Sequence, residues 1–114
     1  MIETEAAWSL LTEKIKTDFN YERKPDLNAV LLLIGVQELG NIKKEFTKEE
    51  KQDLMHIAVC RLLSGEGYYE FDFTDEDGWP HWRGLKPLEK MTMDEQENLL
   101  KKNIITYFEK IFEE

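Results

Sequence analysis

The chain is poor in the residues that most often carry chemistry. It has one cysteine, two histidines and two serines, Ser9 and Ser64. A single thiol, Cys60, excludes an internal disulfide, and nothing else asks for an oxidising compartment. Neither serine stands in a nucleophile-elbow context, and no glycine loop has phosphate-cradling spacing. The longest apolar run, Ala29–Val36, is far short of the ~20 residues that span a bilayer. Low-complexity stretches, internal repeats and Pro/Gly/Ser linkers are also missing, which predicts one domain over 1–114. The start, Met1–Ala7, carries Glu3 and Glu5 without a basic cluster, unlike a signal peptide. These absences together predict a cytoplasmic protein.

Positive charge is scarce as well. Fifteen Lys and Arg stand against 24 Asp and Glu, a formal net charge of −9. Phosphate backbones and anionic lipids need clustered cations, so nucleic acid and membrane are excluded as partners. The basic pairs Lys14/Lys16, Lys43/Lys44 and Lys101/Lys102 are interleaved with acids and read as solvated helix faces.

What is present suits a globular domain: 114 residues, 41% of them hydrophobic and 34% charged. Trp8, Leu11, Ile15 and Phe19 recur at helical spacing and predict a helix over 4–19. Asp26, just after Pro25, is a good N-cap for a second helix over 26–39. Its body is apolar all round, which predicts a central core helix. Gly35 within it predicts close approach of a neighbouring backbone, and Gly40 fits its C′ end. Thr47-Lys48-Glu49-Glu50 is a capping box opening a third helix over 47–64, which should exit through Gly65 and Gly67. Thr92-Met93-Asp94-Glu95 is a second box, opening a helix over 93–112 with Leu100, Ile104, Tyr107/Phe108 and Ile111 as its buried stripe. Between these two helices Tyr69, Phe71 and Phe73 alternate with Glu70 and Asp72, a period of two that predicts a β-hairpin over 68–85. The fold class is therefore mainly α: a four-helix orthogonal or bundle-like domain with a short β-hairpin inserted between helices 3 and 4.

Three constellations are candidates for function. The first is the hairpin. From Leu62 through Trp82 there are six acids, six aromatics (Tyr68, Tyr69, Phe71, Phe73, Trp79 and Trp82) and no Lys or Arg. Acids alternating with buried rings would leave one negative and one apolar face, able to dock a basic partner; equally, the rings are core and the acids merely solvated. Asp75-Glu76-Asp77-Gly78 resembles the middle of a calcium loop, but its first and last ligand positions fall on Phe73 and Gly84, so a tight acidic turn is expected instead. The second is Asp53 with His56 one helical turn on and Cys60 a further turn on, with Glu38 across the bundle: a single transition metal could sit there, or His56 is hydrogen-bonded to structure. The third is Gly78-Trp79-Pro80-His81-Trp82-Arg83, where two indoles, an imidazole and a guanidinium either bind a small ligand or anchor the hairpin. No nucleophile accompanies His81, so no catalytic set is complete.

The strings Asp26–Gly40, Asp53–Leu63 and Gly78–Trp82 (DLNAVLLLIGVQELG, DLMHIAVCRLL, GWPHW) resemble a family of short bacterial proteins without an assigned activity. The resemblance covers most of the chain from Phe19 onward. It implies a bacterial, cytosolic protein and gives no residue a role.

Three functions follow as expectations. The leading one is a protein-interaction module, with a partner protein or a second copy meeting Tyr69, Asp75, Asp77, Trp79, His81, Trp82 and Arg83. The rivals are a metal-binding protein or metal-dependent enzyme using Glu38, Asp53, His56 and Cys60, and a small-ligand binder at Trp79–Trp82. No cofactor is expected outside the metal reading.

Overall fold

The structure is a computed structural model that describes residues 3–40, 45–88 and 91–112. Its elements run α1 (Thr4–Asp18), α2 (Leu27–Leu39), α3 (Lys48–Ser64), β1 (Tyr69–Thr74), β2 (Pro80–Gly84) and α4 (Met93–Phe112). The fold is mainly α, with an antiparallel hairpin between the third and fourth helices, as the patterning predicts. The Lys43/Lys44 pair lies outside the described residues. No described helix is long and apolar enough to cross a membrane.

The chain divides into two compact units, one holding α1 and α4, the other α2, α3 and the hairpin. In the first, α1 packs on α4. Leu11 and Ile15 are buried on α1, and Ile104 and Phe108 on α4. Thr12 is buried too, but its hydroxyl donates to the Trp8 carbonyl at 3.0 Å, so it carries no unmet polar group. Lys101 binds Glu5 at 3.3 Å and lies over the Trp8 ring. The predicted stripes are narrower than expected. Phe19 is 46% exposed and Ile111 39% exposed, while Leu100 and Tyr107 are half-buried. Phe19 and Ile111 stand at the last turns of their helices, where a facing surface runs out.

In the second unit, α2 and α3 cross at Gly35. A Cβ built there would lie 2.1 Å from the Leu54 carbonyl oxygen, so the two backbones touch. This is the close approach that a glycine inside an apolar helix predicts. Val30, Leu31 and Ile34 are buried, whereas Leu32, Leu33 and Val36 are half-buried, so α2 is enclosed on one face and not all round. α3 in turn buries Leu54, Ile57, Ala58, Cys60, Leu62 and Leu63.

Helix ends follow their chemistry. The Thr47 hydroxyl accepts from the Glu50 N–H at 3.1 Å while Glu50 accepts from the Thr47 N–H at 2.8 Å. Thr92 and Glu95 repeat the exchange at 3.0 and 3.1 Å. Gly40 ends α2 at φ +70°, donating to the Val36 carbonyl at 3.1 Å. At the end of α3, Gly65 stays right-handed and only Gly67 turns left-handed, at φ +84°. The Tyr68 N–H then donates back to the Leu63 carbonyl, which turns the chain into β1.

Candidate functional site

The hairpin is built around Asp75. Its Oδ1 accepts from the backbone N–H groups of Asp77 and Trp79, each at 2.9 Å. The Asp75 N–H donates to the Trp79 carbonyl, and Gly78 completes the turn at φ +88°. Oδ2 lies 2.8 Å from His81 Nε2. The His81 bond, followed by those backbone donors, holds the Asp75 carboxyl below its usual range. The acidic stretch 75–78 is thus a tight turn with its first carboxylate committed to the chain itself.

The strand register changes the expected alternation. Tyr69 pairs with Gly84, Glu70 with Arg83 and Phe71 with Trp82, but Phe73 pairs with His81, leaving Asp72 as an extra residue between them. Successive residues of β2 point to opposite faces. The bulge therefore sends Phe71 to the face of Trp82 and Phe73 to the face of His81. Phe71 meets Trp82 edge-on at 5.7 Å, and Phe73 stacks flat on His81 at 4.5 Å. Both rings remain half in water, Phe71 at 53% and Phe73 at 49% exposure. The single apolar strand face that period-two reading predicts does not form, because one inserted residue flips the phase.

α3 packs on both strands, and the His56 ring meets Tyr69 edge-on at 6.2 Å. Between helix and hairpin lies an open cleft of about 320 Å³. Asp53, His56 and Ile57 line it from α3. Asp75, Trp79, Pro80, His81 and Trp82 line it from the turn and β2. Two constellations that are separate in sequence therefore share one cleft. The Trp82 indole N–H is buried and has no acceptor among the described residues.

Other expected site residues fall elsewhere. Arg83 forms an ion pair with Glu70 across the strands. Asp77 sits exposed at the turn tip. Glu38 pairs with Arg61 at 3.3 Å. Cys60 is fully buried, 3.5 Å from His56 Nε2, and burial pushes its thiol up to about 11, away from the thiolate a metal needs. Among the described residues no three His, Cys, Asp or Glu side chains gather closely enough to hold a metal ion. Ile57, which no sequence motif marks, and Pro80, from the Gly78–Arg83 constellation, complete the cleft's apolar lining. A second groove, of about 430 Å³ between α1 and α4, is lined chiefly by Leu10, Leu11, Ile105 and Phe112.

No family model, curated protein or solved structure matches this chain.

Proposed function

We propose that the protein is a non-enzymatic interaction module that docks a basic, partly apolar segment of another protein on its hairpin. The observation that carries this reading is the exposure of Phe71 and Phe73 on a bulged strand. The two half-exposed rings stand on opposite faces of one short hairpin, so a segment that wraps the hairpin edge gains apolar area to bury from both, and aromatic anchors commonly dominate such contacts. Asp72 lies between the two rings in β1 and Glu76 and Asp77 follow in the turn, and among the described residues none of the three has an ion-pair partner. A second copy would bring −9 against −9, so like-charge repulsion favours a different, cationic chain over a homo-oligomer. A cytoplasmic setting belongs to the same proposal and rests on the lone buried thiol.

A small-ligand reading is supported by the cleft itself, where α3 and the Trp79–Trp82 segment converge. The metal reading through Glu38, Asp53, His56 and Cys60 draws no comparable support from the geometry.

Calorimetric titration with a capped synthetic peptide of alternating Arg and Leu tests the docking reading. Binding is expected at low salt and should weaken towards about 0.15 M as screening grows. The Phe71→Ser/Phe73→Ser variant should bind roughly tenfold more weakly. Asp72→Lys/Glu76→Lys/Asp77→Lys, which spares Asp75, should abolish binding. A Phe71/Phe73 variant that binds as the parent does would overturn the proposal.

A further inference from the structure

The cleft beside the docking surface has an uneven distribution of committed and uncommitted groups. The Asp75 oxygens are occupied by two backbone N–H groups and His81. Asp53, by contrast, is exposed on α3 and has no hydrogen-bond or ion-pair partner among the described residues. The arginines of the same two elements are held elsewhere, Arg61 by Glu38 and Arg83 by Glu70. The cleft thus has the Asp53 carboxylate and the His56 imidazole at its helical side, the paired Asp75 and His81 at its turn, indoles at its strand side, and Ile57 and Pro80 as apolar lining.

We propose that this cleft receives the guanidinium of an arginine side chain supplied by the basic partner. The inference rests on the docking reading of the hairpin and names the residue that the partner inserts. A guanidinium is planar and weakly hydrated, so it stacks on an indole at little desolvation cost. Its forked N–H groups match the two oxygens of one carboxylate, here Asp53. Its methylene stem suits Ile57 and Pro80, as long cationic side chains lay their stems on apolar surface. A lysine ammonium, compact and strongly hydrated, would gain less from the indoles. An anion would meet Asp53 and Asp75. Phe71 packs on Trp82, a lining residue on the face that meets α3, so this exposed ring adjoins the cleft and one segment can engage both.

Indole N–H resonances of the full chain provide the test, because only Trp8, Trp79 and Trp82 contribute. Titration with N-acetyl-arginine methylamide should shift the Trp79 and Trp82 signals saturably at millimolar concentration and leave Trp8 in place. The lysine analogue should bind several-fold more weakly, and the citrulline analogue, equal in shape but uncharged, should shift neither signal. Asp53→Asn should weaken the arginine response roughly tenfold, the scale of one hydrogen-bonded charge. Static Trp79 and Trp82 signals, an equal response to citrulline or lysine, or an Asp53→Asn response like the parent's would each overturn the inference. If the arginine response is absent while Phe71/Phe73-dependent peptide binding persists, the cleft proposal falls and the docking reading stands. If the arginine response persists while the peptide fails to bind, the docking reading falls, and with it the claim that a partner protein supplies the guanidinium.

Discussion

Asp75 does the most with one side chain. It closes the turn through Oδ1 and fixes His81 through Oδ2. Since its carboxyl is held below the ordinary value, the stability it adds is present above the unfolded value, about 4, and is lost as pH falls through the lower, folded value. Glu95, lowered by its bonds to Thr92, behaves with the same sign at the start of α4. Acidification below about pH 4 should therefore loosen the hairpin turn and the first turn of α4 together. Backbone amide shifts of Asp77, Trp79 and Gln96 against pH would report this; amides unmoved through that range would contradict it. Asp75→Asn keeps an oxygen for the turn and should lower the melting temperature less than Asp75→Ala. The tight acidic turn was legible, but not which carboxylate organises it, since Asp75 stands in an acidic run in which any of three residues could have led the turn.

At the scale of elements, the helices were legible because their ends carry local chemistry. Thr47 and Thr92 each meet their glutamate three residues on, and Gly40 supplies the left-handed exit. Gly35 announced close approach of a neighbouring backbone, and the Leu54 carbonyl of α3 is that neighbour. Gly35→Ala should cost about 2–3 kcal/mol, the scale of overpacking, because the atom it strikes is backbone and cannot swing aside. Thr47→Ala should cost only about 1 kcal/mol, the worth of a cap on an exposed turn. Denaturant unfolding of both variants would check the order, and Thr47→Ala costing more than Gly35→Ala would contradict it. The hairpin was legible as a hairpin but not in its faces. Period-two patterning assumes an unbroken ladder, and the bulge at Asp72 is set by pairing with β2, which no local signal in β1 specifies. The cleft was illegible for the same reason: it exists only where α3 and the hairpin meet, and along the chain Asp53 and Trp79 belong to different constellations.

Taken whole, the chain joins a strong negative charge to half-exposed rings held on one hairpin. Removing those rings should cost the fold little, since each is already about half in water. Phe71→Ser/Phe73→Ser should lie within about 2 kcal/mol of the parent in stability, because it gives up two cross-strand ring contacts, on Trp82 and on His81, each worth roughly 0.2–1 kcal/mol. Chemical unfolding would show it, and a drop of several kcal/mol would mean that the rings serve the core. Separating stability from binding in this way is what the docking account requires. Its central claim is that a cationic partner covers the hairpin. The most direct measurement is a native mass spectrum of the protein purified from its own cells at low ionic strength. The account predicts a complex with one basic protein at fixed stoichiometry, dissociated by salt and absent for Phe71→Ser/Phe73→Ser. A bare monomer under every condition, or a complex unaffected by that variant, would contradict it.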